Sequence, residues 1–214
     1  MKPCLPDEFL RIPLAHRALH DVAAGRPENS RAAVRAAIGA GYGIEIDLQL
    51  TADGQAMVFH DYDLERLTGA KGTIRQISAT QAQGIPLIGG DGETIPSLPE
   101  ILRIVAGQVP LLIELKDQDG GMGPDIGALE RACHQALQGY DGPVAVMSFN
   151  PHSVAEMARL APDLPRGLVT SSYDPADWPL SQATCDHLRR IPDFDRVGAS
   201  FISHEVTDLT RARV

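Results

Sequence analysis

Cysteine is scarce in this chain, and so is any long apolar run. Its three cysteines, Cys4, Cys133 and Cys185, are scattered and show no C-x-x-C spacing. This excludes a cysteine-based zinc site and a disulfide framework, and fits idle thiols in a reducing compartment. No stretch approaches the roughly 20 apolar residues of a membrane-spanning helix. The opening MKPCLPDEFLRIPL also lacks the apolar centre of a signal peptide. The expected location is therefore cytoplasmic, with no membrane span. Basic residues are few as well: 19 Lys and Arg stand against 28 Asp and Glu, a formal charge of -9. That argues against a nucleic-acid partner, since phosphate backbones are bound by basic patches. A small anionic substrate held in a locally positive pocket remains compatible.

What is present is an ordinary globular composition at a length suited to one large domain, expected to cover residues 1–214. Strand-like and helix-like runs alternate. The strand-like ones are residues 12–16, 43–48, 56–60, 111–115, 144–149, 167–170 and 197–203. Ser97-Leu-Pro-Glu100 reads as a capping box ahead of an apolar stripe. Asn150-Pro151 places a good cap before a proline at the first helical position. Further helices are expected over about residues 30–40, stopped by Gly41, and about 124–137, ended by Gly139.

Strand and helix in alternation imply a parallel sheet with right-handed crossovers. The expected fold is α/β, a TIM (β/α)8-type barrel that lacks the eighth strand, since residues 207–214 read as the start of a helix. Residues 61–95, rich in Gly, Thr and Gln, break the rhythm. They are expected to form a small inserted subdomain in the loop after the third strand-like run, at the mouth where such barrels build their sites.

The chemistry is concentrated at the ends of these runs. In Gly43–Leu50 the apolar residues Ile44, Ile46, Leu48 and Leu50 share one parity, and Glu45, Asp47 and Gln49 the other. LLIELK repeats the pattern, with Leu112, Glu114 and Lys116 on one parity. Val58 pairs in parity with His60, and Leu14 with His16. Carboxylates converging in a cavity repel one another and need a positive centre. Oxygen-only donors point to a hard cation, Mg²⁺ or Ca²⁺. With that ion, one phosphodiester, Arg17 and Lys116, the site built on Glu45, Asp47 and Glu114 closes at neutrality. The competing reading makes Lys116 and Arg17 structural ion-pair partners of the acids. Imidazole titrates near neutral pH, so His16 and His60 are the expected proton movers.

The chain resembles the glycerophosphodiester phosphodiesterase family. The resemblance rests on AHRALHDVAAGRPENS, GIEIDLQLTADGQAMVFHDYDLERLTG, TIPSLPEIL and LLIELK, and more thinly on VMSFNP. It implies a barrel enzyme with one divalent cation, Mg²⁺ or Ca²⁺, held by Glu45, Asp47 and Glu114. It further implies His16 and His60 as the acid–base pair, Arg17 and Lys116 as phosphate contacts, and Glu28 and Asn29 as supporting groups. The implied reaction splits a glycerophosphodiester, such as glycerophosphocholine or glycerophosphoethanolamine, into an alcohol and glycerol 3-phosphate.

Two departures stand out. Ala18 replaces the glycine that usually follows His-Arg in the family, at a backbone position expected to favour positive φ. The segment that often carries a Trp-Thr pair on the last strand is missing. Two alternatives stay open: a non-catalytic barrel that binds anionic phosphate esters, and a phospholipase D-like lyase that stops at a cyclic phosphate.

Overall fold

All eight residues of Gly43–Leu50 are buried. This strand is covered on both faces, unlike an amphipathic antiparallel strand with one side in water. In the computed structural model, which describes residues 2–214, it is an inner stave of a curled sheet. In chain order the elements are α1 (Glu8–Arg11), β1 (Leu14–Ala15), α2 (Arg31–Ala40), β2 (Gly43–Leu50), β3 (Ala56–Val58), α3 (Glu65–Thr68), α4 (Ala79–Gln83), α5 (Leu98–Val105), β4 (Leu111–Leu115), α6 (Ala128–Ala136), β5 (Val144–Ser148), α7 (Pro151–Leu160), β6 (Arg166–Thr170), α8 (Gln182–Arg189) and β7 (Phe201–His204).

The order β1–β2–β4–β5–β6–β7 is parallel throughout, an α/β half-barrel open between β7 and β1. β3 departs from the staves: it pairs antiparallel with β2, Leu48 opposite Val58 and Leu50 opposite Ala56. The cause lies in the link. Residues 51–55 form a tight turn in which the Thr51 N–H donates to the Gln55 carbonyl, the Thr51 hydroxyl accepts the Gln55 N–H, and Gly54 takes φ 76°. So short a connection cannot make a parallel crossover, which takes a dozen residues or more.

Helix ends follow local chemistry where the partners are local. Ser30 accepts the Ala33 N–H to start α2, and Gly41 at φ 74° ends it. Asn150 accepts the His152 N–H ahead of Pro151 to start α7. The capping box expected at Ser97 does not form: Ser97 makes no side-chain cap, and the Glu100 carboxylate instead takes Arg31 Nε at 2.6 Å and Nη2 at 2.9 Å. α6 starts at Ala128, later than the sequence suggests. Asp117 and Asp119 tie up the preceding loop through its amides, and Glu130 accepts the Gly127 N–H at 2.7 Å. Beyond β7 the expected helix is a single 3-10 turn, Val206–Asp208.

The two strand parities face different surroundings. Ile44, Ile46, Ile113 and Leu115 pack outward against α2 and α5 through Val34, Ala37, Ile101 and Val105. The inward parity is apolar low in the barrel, where Leu112, Met147 and Val169 meet Leu5, Phe9 and Phe201, and acidic near the strand ends. The segment ahead of β1 starts beside β7, with Lys2 on Asp195 at 2.7 Å and the Pro3 carbonyl accepting the Ser200 hydroxyl, and sends Leu5 and Phe9 into this floor. Residues 61–95 pack Leu64, Leu67, Ile74, Leu87 and Ile95 into an apolar cluster with Met57 and Phe59. Glu93 docks them by accepting the Arg31 and Ala32 N–H groups at the start of α2.

Candidate active site

Parallel pairing sets Asp47 of β2 directly beside Glu114 of β4. Glu45 is one inward position earlier on β2. Oxygens of these three buried carboxylates lie within 4.8 Å of one another. Lys116 Nζ sits between two of them, 2.6 Å from Glu114 Oε1 and 2.8 Å from Asp47 Oδ1. Asn29 donates to Asp47 Oδ2 at 2.9 Å and accepts the Asp47 N–H at 3.2 Å. Glu45 Oε2 accepts the Arg17 N–H at 2.8 Å, whereas Glu45 Oε1 is buried with no hydrogen-bond partner.

Burial and the neighbouring Asp47 charge push the Glu45 carboxyl up to about 8. Burial raises Glu114 too, against the pull of Lys116. Burial also acts on Asp47, but Lys116, His60 and Asn29 outweigh it and hold that carboxyl below its usual range. An unpartnered buried oxygen among three carboxylates that face only Lys116 and, at 3.8 Å from Asp47, the Arg17 Nε among the described residues is a donor set that fits a hard divalent ion.

Arg17 and Ala18 both take left-handed backbone, φ 54° and 62°. This turn aims two successive amides at Glu45, the Arg17 N–H at its carboxylate and the Ala18 N–H at its carbonyl (2.9 Å). The left-handed geometry expected of the family glycine is thus adopted here with a methyl group, itself buried in the core. The Arg17 guanidinium reaches Glu28 Oε1 at 3.0 Å and His60 Nε2 at 2.7 Å. A guanidinium only donates, so His60 Nε2 accepts. The His60 proton then sits on Nδ1, facing Asp61 Oδ1 at 2.7 Å. Burial, reinforced by Lys116 for His60 and by Arg17 for His16, lowers both imidazoles and keeps them neutral near pH 7.

Two cavities meet at His60, Glu114, Lys116 and Phe149. The inner one, about 410 Å³, runs toward Leu14, Leu112, Met147 and Val169, with His16, Arg17 and Glu45 also on its wall. The outer one, about 700 Å³, opens past Tyr62, Trp178 and Met122 among Asp61, Asp63 and Glu65.

The structure therefore gathers His16, Arg17, Glu45, His60, Glu114 and Lys116 around one space, with Asp47 and Asn29 directly behind. Glu28 touches Arg17 and Arg66, not the carboxylate cluster. Sequence reading passed over Arg66, although an Arg five residues after an HD pair is a visible charge match. No local pattern marks Trp178. Trp178 does pack on Phe149 and Tyr173, with ring centroids 5.1 and 5.0 Å away, but it walls the outer cavity as well.

Polar groups gathered at the C-terminal strand ends of a curled parallel sheet place this molecule among the (β/α)-barrel proteins that work at that face. Comparison with known proteins narrows the class. The model of the glycerophosphoryl diester phosphodiesterase family matches residues 16–211, and the chain belongs to that family. It is 32% identical over 154 residues to a glycerophosphodiester phosphodiesterase of Caldanaerobacter subterraneus, covering 67% of this chain and 61% of the relative. It is 30% identical over 167 residues to the putative glycerophosphodiester phosphodiesterase YhdW of Bacillus subtilis, covering 73% and 65%. The chain thus spans less than two thirds of the length of these relatives. An Oleispira antarctica phosphodiesterase, solved with its product sn-glycerol-3-phosphate, superposes with TM-score 0.73 at 23% identity, over 95% of this chain and 81% of that one. A glycerophosphodiester phosphodiesterase from Parabacteroides distasonis gives TM-score 0.64 at 21% identity, over 93% and 94%. These likenesses establish the half-barrel fold.

Proposed function

We propose that the chain hydrolyses glycerophosphodiesters in the cytoplasm with the help of one divalent cation, Mg²⁺ or Ca²⁺. The observation that carries this reading is the unpartnered Glu45 oxygen within the Glu45–Asp47–Glu114 cluster, beside Lys116, Arg17 and a neutral His60. Glu45, Asp47 and Glu114 would hold the ion, which when bound supplies a Lewis acid next to the phosphate. Arg17 and Lys116 bind the phosphate oxygens and stabilise charge that builds there. As Arg17 turns to the phosphate it frees His60 Nε2, the nitrogen able to accept a proton. His16, which lines the same inner cavity, completes the acid–base pair.

The two cavities support the substrate assignment. A phosphodiester carries two arms, and the waist at His60, Glu114 and Lys116 has one space on each side. The outer space combines carboxylates with Tyr62 and Trp178 and suits a cationic alcohol such as choline or ethanolamine. Residues 61–95 act in this reading as the inserted subdomain of a single barrel domain, and set that choice.

The test is incubation with glycerophosphocholine, with and without a chelator, followed by assay of choline, glycerol 3-phosphate and cyclic phosphate. Metal-dependent release of glycerol 3-phosphate is expected. A cyclic product alone would identify a lyase; binding without turnover would identify a phosphate-ester binder.

A further inference from the structure

Arg66 lies on α3, outside the set of phosphate and proton groups, and its side chain is 50% exposed. An arginine so placed ordinarily contributes little. Here its fork is fully engaged. Nε and Nη2 donate to the Asp61 oxygens at 2.6 and 2.7 Å, and Nη1 and Nη2 to those of Glu28 at 3.0 and 2.8 Å. Both carboxylates are much more buried than Arg66, at 20% and 12% side-chain exposure.

The oxygens matter. Asp61 Oδ1, which faces His60 Nδ1, also takes Arg66 Nη2. Glu28 Oε1, which takes Arg17, takes the same Arg66 nitrogen. The Arg17–His60 contact at 2.7 Å closes the circuit. Arg66, Asp61, His60, Arg17 and Glu28 thus form one ring drawn from three separate segments: the link before α2, the residues after β3, and α3.

From this geometry we infer that Arg66 is a positioning residue for the reaction, a clamp that fixes Asp61 against Glu28 and thereby sets both the His60 ring and the Arg17 guanidinium. The inference rests on the phosphodiesterase reading above. The ring's formal charges cancel when His60 is neutral. Its weakest link on substrate arrival is the Arg17–His60 contact, because each of the other links ends on a carboxylate and is charge-assisted or held by Arg66. Phosphate therefore opens the ring at one place and releases Arg17 and His60 together. Without Arg66, two carboxylates lose their shared counter-charge. Glu28 then holds Arg17 alone, and Asp61 holds His60 without a fixed orientation. A lysine cannot replace the fork, since an ammonium is a point charge that does not span two carboxylates in paired geometry.

The test uses the full chain with Mg²⁺ and glycerophosphocholine, comparing wild type with Arg66→Gln, Arg66→Lys, Asp61→Asn and the double variant Arg66→Gln/Asp61→Asn. Supporting groups of this kind are worth about 10- to 100-fold. Arg66→Gln should lower kcat by about that factor, and Arg66→Lys should recover little of it. The double variant should be no worse than Asp61→Asn alone within about twofold, because both act through one ring. Full activity of Arg66→Lys, a loss confined to KM, or multiplication of the two single losses in the double variant would each overturn the clamp. If Arg66→Gln does not fold, Arg66→Lys carries the comparison. A wild-type chain that splits no glycerophosphodiester removes the function, and the ring is then judged by ¹⁵N NMR. One His60 tautomer protonated at Nδ1 in wild type, lost in Arg66→Gln, supports it; the same tautomer mixture in both overturns it.

Discussion

Asp47 and Glu114 are register partners on adjacent parallel strands, and Lys116 Nζ lies between them, 2.8 Å from one and 2.6 Å from the other. Lys116, with Arg17 Nε at 3.8 Å from Asp47, faces three buried carboxylates, and Glu45 Oε1 goes unpartnered. The arrangement is under-neutralised.

Divalent cation should stabilise the chain as well as activate it. At about 100 times its dissociation constant a ligand specific for the folded form adds about 2.7 kcal/mol. Thermal unfolding with Mg²⁺ or Ca²⁺ should therefore move upward and return on chelation. Glu45→Gln should reduce both the shift and the affinity. An unchanged dissociation constant in this variant removes Glu45 from the ligands.

The same carboxyl gives a pH dependence of known sign. Its folded value, about 8, lies above the ordinary 4.5. The folded chain thus holds a proton that the unfolded chain has lost, and this contribution to stability fades as pH rises from about 4.5 to about 8. Glu114 shifts in the same direction. His16 and His60 are lowered and act oppositely, but only below their ordinary 6.5. Urea unfolding in chelator should show wild type losing stability relative to Glu45→Gln between about pH 6.5 and about pH 8.5. A relative gain would contradict the assigned shift.

His60→Ala and His16→Ala should each lower kcat by about 10²-fold or more, the scale of general acid–base catalysis. Metal affinity should stay near that of wild type in His60→Ala, because Arg17 and Asp61 are its hydrogen-bond partners. A parallel loss of metal affinity would move His60 from proton transfer to ion binding.

Trp178→Ala should cut kcat/KM for glycerophosphocholine by about 5- to 30-fold, equivalent to about 1–2 kcal/mol of cation–π and apolar contact. It should change glycerophosphoglycerol turnover much less. Equal losses on both substrates would argue that Trp178 only packs on Phe149 and Tyr173.

Ala18→Gly should be close to neutral in stability. Glycine removes about 1–2 kcal/mol of left-handed strain at φ 62°. It also deletes a buried methyl worth about 0.8 kcal/mol and frees the unfolded chain. A loss beyond about 2 kcal/mol would show that the methyl group is a packing element rather than a tolerated misfit.

The alternation in β2 and β4 carried the site: inward parity alone put Glu45, Asp47 and Glu114 on one wall. The cap at Asn150 was legible because donor and acceptor sit within two residues. What stayed hidden depended on distant partners or on direction. Side-chain parity is blind to whether a strand runs parallel, so β3 is betrayed only by its short link to β2. Glu100 looks like half of a capping box until Arg31, 69 residues away, takes it. The ring through Arg66 joins residues up to 49 positions apart, from Arg17 to Arg66, and no local pattern announces it.

Glu45 is steadied by the main chain of residue 17, not by that residue's side chain. Truncating Arg17 to alanine therefore strips the guanidinium from the substrate space while the carboxylate keeps its anchor. Only proline, which lacks the amide hydrogen, would sever it. The ion-holding and phosphate-holding duties proposed for this one position are thus separable by substitution, and sequence drift at the side chain need not dismantle the carboxylate anchor beneath it.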